Sequence, residues 1–145
     1  MKFKIRRSEQ RDFEGVFRLL RQLWPDEELD STALQRVYER ALASHSQVYL
    51  CVVQQEDVIG FASLTIKNNL WEAGNLGHID ELVVDQGCRG AGIGTDLLHK
   101  IIAAARQRGC VRVELDSAFH REKAHEFYNQ NGFDNRAYLF SKELD

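Results

Sequence analysis

Residues 81–98 read ELVVDQGCRGAGIGTDLL: an apolar run, then Gly87, Gly90, Gly92 and Gly94 within eight positions, then the first turns of an apolar-periodic stretch. Glycine lacks a Cβ and adopts positive φ without penalty, so this backbone can turn tightly or lie against a ligand where other residues cannot. Beyond the glycines, Ile93, Leu97, Leu98, Ile101, Ile102 and Ala105 recur at helical spacing. RQRG at 106–109 closes the pattern with basic residues and a terminal glycine. A strand, a bare loop and a helix in that order expose the free N–H groups and positive dipole end of a helix start, which suits an anion and above all a phosphate. Two phosphate loops do not fit. A Walker loop ends in Gly-Lys-Ser/Thr, whereas Gly94-Thr95 has no lysine. A dinucleotide loop counted from Gly90 puts Thr95 where its third glycine belongs.

Upstream, FKIRR (3–7) alternates as a half-buried strand. Ser8 is placed as a helix N-cap before Phe13, Val16, Phe17, Leu20 and Leu23, and Pro25 stops that helix. Asp30 or Ser31 caps a second helix with an apolar face of Leu34, Val37, Tyr38 and Leu42. QVYLCVVQ and VIGFASLTIK form a hairpin, NNLWEAGN a connector, and LGHIDELVV a strand with room for a bulge at Gly77 and Asp80/Glu81. Downstream, VRVELDS is a strand, REKAHEFYNQNG a short helix ended by Gly132, and FDNRAYLFSKEL one bent strand or two. The order β-α-α-β-β-β-α-β-α-β(β) describes an α/β (α+β) chain with helices on the faces of a mixed sheet.

The 145 residues suit one domain, and 43% hydrophobic with 28% charged residues is an ordinary globular balance. A net charge of −3 gives no basic field for nucleic acid, and no apolar run approaches membrane-span or signal-peptide length. Cys51, Cys88 and Cys110 are odd in number and scattered, which suits reduced thiols in the cytoplasm, and the five histidines form no zinc spacing.

The spacing that fits is Arg89-x-x-Gly92-x-Gly94, which resembles the acetyl-CoA diphosphate loop of the GNAT N-acetyltransferases. Ala124, Phe127, Tyr128, Gly132 and Phe133 are similar to that family's late A-x-x-F-Y-x-x-x-G-F helix. The resemblance covers the whole element order. It implies a single N-acetyltransferase domain over 1–145, a central sheet of six to seven strands with four helices, and acetyl-CoA as cosubstrate. By the same resemblance, the amides of Arg89, Gly90, Ala91, Gly92, Ile93, Gly94 and Thr95 surround the diphosphate. Leu82, Val83 and Val84 pair through their backbone with the pantetheine arm, and an N–H near Leu82 or Val83 polarises the thioester carbonyl. Arg121 stands where many relatives carry an asparagine; either Ser117 or a backbone group replaces that contact, or Arg121 meets a CoA phosphate.

An alkylamine with a pKa of about 10.4 is protonated near neutrality and cannot attack a thioester, so a base is needed. By the same resemblance Glu81 is the candidate base, with Asp80 and His78 in reserve, and Tyr128 is the candidate proton donor to the departing thiolate. The implied route is direct attack in a ternary complex, with no metal and no role for Cys88. LWPDEELD (23–30) resembles a stretch of aminoglycoside 6'-N-acetyltransferases, and Glu72, Asp80 and Glu81 would extend its acidic rim. IDELVV, AHEFYNQNGF and RAYLFSKEL resemble aminoalkylphosphonate N-acetyltransferases, whose substrates carry a negative group. Trp24 and Trp71 are expected in core or edge roles, with walls of the acceptor site as the alternative. A small-molecule primary amine is the expected acceptor. Alternatives are a protein or peptide amine, a non-catalytic acyl-CoA sensor and, third, a dinucleotide oxidoreductase. The resemblance also implies a homodimer joined through the C-terminal strands.

Overall fold

Two apolar stretches separated only by Gln55 and Glu56 build the middle of the sheet. The computed structural model describes residues 2–145. The first of its two units, through Glu114, carries β1 (Lys4–Arg7), β2 (Gln47–Gln54), β3 (Asp57–Asn69), β4 (Gly74–Val84) and all but the last residue of β5 (Cys110–Leu115), in that spatial order. β1 to β4 are antiparallel neighbours, and the β2–β3 turn is made by Gln55 at φ 57°. The turn-rich connector expected at NNLWEAGN is a tight turn between β3 and β4: Asn69 accepts the Glu72 N–H at 2.8 Å, and Leu70 and Trp71 project 101% and 86% exposed.

α1 (Phe13–Leu23) and α2 (Ser31–Leu42) cover one sheet face, where Phe13, Val16, Leu19, Leu20 and Tyr38 cluster with Cys51, Phe61 and Val83. α3 (Ile93–Gln107) buries Ile93, Leu97, Leu98, Ile101 and Ala105. Each fully buried Leu or Ile there contributes roughly 1.5–3 kcal/mol. Asp30 caps α2 by accepting the Ala33 N–H at 3.1 Å, as expected. Two expectations fail. Ser8 is not the cap: its hydroxyl is buried against Cys51 Sγ at 2.9 Å, and a 3-10 turn at Gln10–Asp12 precedes α1, with Asp12 accepting the Glu9 N–H at 2.7 Å. Val37 is 47% exposed, and Ala41 takes the buried position beside Tyr38.

β4 holds the feature that matters for chemistry. Ser63 pairs with Glu81 and Leu64 with Ile79, so Asp80 is an extra residue in a β-bulge, within the region anticipated. A regular strand would send Asp80 and Glu81 to opposite faces. The bulge instead brings both to the face of Ser63 and Thr65, which bond to Glu81 and Asp80 respectively.

The second unit, Leu115–Asp145, contains α4 (Glu122–Gln130), whose end is turned by Gly132 at φ 88°. The strand or strands expected in 133–145 are absent, so the sheet has five strands among the described residues rather than six or seven. A strand exists only through a neighbour's hydrogen bonds, and residues 133–145 enter no ladder. Tyr138, Leu139, Phe140 and Leu144 are 77%, 68%, 91% and 84% exposed.

Candidate active site

The glycine loop is anchored at its root and bare at its tip. Asp85 accepts the Gly87 N–H at 3.1 Å and opens a short 3-10 turn, Gln86–Cys88. α1 grips this root twice. Arg18 pairs with Asp85 at 2.8 Å while donating to the Val58 carbonyl at 2.7 Å, and Gln22 accepts the Gln86 N–H at 3.0 Å. The Arg18 guanidinium and the Gly87 N–H hold the Asp85 carboxyl below its usual range. Arg89 turns back to donate Nε to the Val84 carbonyl at 3.2 Å.

Gly90 and Gly92 have φ of 87° and 80°, and a Cβ built on either would meet nothing within 4 Å. Both are exposed, so the space beside them is open. Gly92 is the residue before α3 and caps it with no side chain; the first N–H with a helical partner is that of Asp96, bonded to the Gly92 carbonyl at 3.1 Å. The preceding amides are therefore left to face an anion. Of the residues expected to bind through the loop, Ile93 is 1% exposed, so only its main chain is usable. Leu82, Val83 and Val84 lie at the end of β4, opposite Ala62, Phe61 and Gly60 of β3. The space and the donors fit the diphosphate of an acylated coenzyme.

Next to that loop on the same strand, the bulge assembles a carboxylate cluster. Glu81 accepts from the Ser63 hydroxyl, and that same oxygen accepts the Glu81 N–H at 2.9 Å. Burial pushes the Glu81 carboxyl up from its ordinary value; the Ser63 hydrogen bond partly opposes this, Asp80 adds to it and His78 reduces it. Asp80 is held by the Thr65 hydroxyl and by His78 Nδ1 at 2.8 Å. Tyr49 pairs with Ser63 from β2, and burial, then Glu81 and Asp80, push its phenol up to about 12.

In the second unit, Arg121 stands at the start of α4 and Tyr128 in its last turns, with Tyr128 packed edge-on against Phe127 and Phe133 at 5.5 and 5.8 Å. Burial raises the Tyr128 phenol and Arg121 lowers it in part, so the hydroxyl keeps its proton at neutral pH. Ser117 Oγ is buried without a hydrogen-bond partner among the described residues.

Between α1, the loop after it and the root of the glycine loop lies an open groove of about 720 Å³, lined among others by Phe17, Arg21, Trp24, Glu27, Glu28 and Gln86. Trp24 lines this groove and packs against the α1–α2 core, whereas Trp71 is at the exposed β3–β4 turn. Sequence reasoning missed Ser63, Thr65, Arg18 and Gln22. Ser63 and Thr65 carried a faint signal, as the polar members of the otherwise apolar run 58–66. Arg18 and Gln22 carried none, since their partners are 67 and 64 residues away.

A strand that leads through a bare glycine turn into an uncapped helix, with a half-buried carboxylate just before the turn, fits the needs of an acyl-coenzyme A transferase. The acetyltransferase (GNAT) family model matches residues 6–133. The chain is 31% identical over 141 residues to the aminoalkylphosphonate N-acetyltransferase of Salmonella typhimurium, covering 97% of this chain and 91% of that one. It is 32% identical over 144 residues to the glucosamine 6-phosphate N-acetyltransferase of Trypanosoma brucei brucei, covering 98% and 95%. A solved aminoglycoside N-acetyltransferase in complex with CoA shares the fold at a TM-score of 0.86 and 18% identity, covering 99% of this chain and 96% of that one. The chain belongs to the GNAT acetyltransferase family, and it is an acyltransferase that uses acetyl-CoA as cosubstrate. No described helix is long and apolar enough to cross a membrane.

Proposed function

We propose that this chain transfers the acetyl group of acetyl-CoA to the primary amine of a small molecule, by direct attack in a ternary complex. The observation that carries this reading is the placement of Glu81 on the strand whose end becomes the bare loop, four residues before the Asp85 anchor. In the proposed mechanism the amides of Arg89 to Thr95 hold the diphosphate, with the Arg89 guanidinium alongside, and β4 from Leu82 to Val84 lines the pantetheine arm. An N–H near Leu82 or Val83 polarises the thioester carbonyl. Glu81, directly or through water, takes the proton from the ammonium form of the acceptor. A carboxyl raised by burial is a stronger base than an ordinary one. The amine nitrogen forms its bond to the carbonyl carbon, the C–S bond breaks, and Tyr128 gives its proton to the departing thiolate. Arg121 meets a phosphate of the coenzyme.

For the acceptor, the groove supplies Arg21 together with Glu27 and Glu28, and Arg18 is already answered by Asp85. This mixture suits a compact amine that also bears an anionic group better than a polycation, in line with the named substrates of the two curated relatives. The two units are proposed to form one domain over 1–145, since the family match runs across their boundary. The exposed Tyr138, Leu139, Phe140 and Leu144 support a homodimer through the C-terminal segment, which sedimentation velocity tests directly. Three free thiols support a cytoplasmic location.

The test is thiol release from acetyl-CoA across aminoalkylphosphonates, amino-sugar phosphates, aminoglycosides and peptide amines, alongside calorimetric binding of CoA. Turnover with the anionic amines is the expected result. Tight CoA binding with no thiol release for any amine would overturn the enzymatic mechanism in favour of a sensing role.

A further inference from the structure

Ser63 has no part in the chemistry as described, yet its hydroxyl hydrogen-bonds the Glu81 carboxylate. It is 0% exposed, one of only three buried polar side chains among the described residues. Its oxygen accepts the Glu81 N–H at 2.9 Å, and its proton goes to Glu81 Oε1. While one lone pair accepts the Glu81 N–H, the hydroxyl proton is directed to the carboxylate of the same residue. The bulge makes this double contact: Ser63 and Glu81 are direct register partners, and the slip at Asp80 follows immediately.

The geometry points to Ser63 as a positioning residue for Glu81, holding one carboxylate oxygen so that Oε2 is left to receive the acceptor's proton. This rests on Glu81 being the base. Groups facing the carboxylate are His78 and Asp80 on β4 and Tyr49 on β2. Beyond Tyr49 stand Tyr38 of α2, with a phenol raised by burial, and the uncharged Phe61. Both phenols stay neutral across the working range, so Ser63, Asp80 and His78 are the groups left to tune Glu81. A hydrogen bond to the ionised form favours it, so removing the hydroxyl raises the carboxyl further.

The experiment is the pH dependence of kcat/KM at saturating acetyl-CoA for the wild type, Ser63→Ala, Ser63→Cys and Glu81→Gln. The acid limb of Ser63→Ala is expected to move up by about one pH unit, with the weaker thiol donor of Ser63→Cys in between and acetyl-CoA affinity unchanged. A limb within about 0.2 unit of the wild type in Ser63→Ala, where Glu81→Gln removes that limb, would overturn the role of Ser63 and leave Glu81 as base. A limb unchanged in Glu81→Gln would overturn the base assignment itself, and the role of Ser63 with it. Should Ser63→Ala fail to fold, a 13C carboxylate titration of Glu81 in the wild type and Ser63→Cys reads the same shift without turnover; coincident curves would refute it.

Discussion

Gly92→Asp separates what the loop does for the fold from what it does for the ligand. Gly92 lies at φ 80°, where an L residue costs about 1–2 kcal/mol. No atom lies within 4 Å of a Cβ there, so no clash is added. A carboxylate before the first turn of α3 recovers roughly 0.3–1 kcal/mol from the helix dipole. The net change in stability is thus about 1 kcal/mol, a drop in Tm of roughly 2–4 °C. Binding is affected far more. A carboxylate on the order of 5 Å from one phosphate charge, at an effective dielectric near 20, costs about 3 kcal/mol, which weakens Kd by more than about 100-fold. Thermal unfolding and titration calorimetry with CoA measure the two effects on one sample, and Gly92→Ala isolates the φ penalty. A folded Gly92→Asp protein that binds CoA within about threefold of the wild type would refute the reasoning.

In Glu81→Gln, activity is expected to fall most at low pH, where the amine is protonated, and to recover in part towards pH 10; equal loss at every pH would place the base elsewhere. Because the Glu81 carboxyl is raised, wild-type activity should decline as pH falls through a value above the ordinary 4.5, as a pH–rate profile will show. Tyr128→Phe should lower kcat by roughly 10²-fold with acetyl-CoA affinity retained, and unaltered turnover with chemistry rate-limiting would remove Tyr128 from the mechanism. Arg6 grips the buried Asp12 at 2.7 and 2.9 Å and holds its carboxyl below 3.8. A depressed folded pKa gives stability that is present above the unfolded value and lost as pH falls through the folded one. Asp12→Asn should therefore cost about 2 kcal/mol at pH 7 and less below about pH 4; denaturant curves showing equal cost at both would contradict the pairing.

Patterns that repeat locally were legible in the sequence. The α3 stripe, the β2–β3 hairpin, the Asp30 cap and the glycine loop all followed from periodicity or from a conformation that only a few residue types favour. Ser8 was misread because capping propensity describes a short polar side chain without knowing that Cys51, 43 residues on, offers it a buried partner. The C-terminal strands failed for a related reason: apolar content in YLF marks a surface able to pair, but the pairing partner is not written nearby. A bulge near Asp80 and Glu81 was anticipated, yet its position was set by the β3 register, and with it the facing of three ionisable side chains. Ser63 could be recognised only once that register was known.

The central claim is that the amides between Arg89 and Thr95 hold the coenzyme's diphosphate. A crystal structure with acetyl-CoA tests it most directly. The expected result is diphosphate oxygens about 3 Å from those N–H groups, beside the open faces of Gly90 and Gly92. A diphosphate bound elsewhere, with the loop amides turned to water, would contradict it.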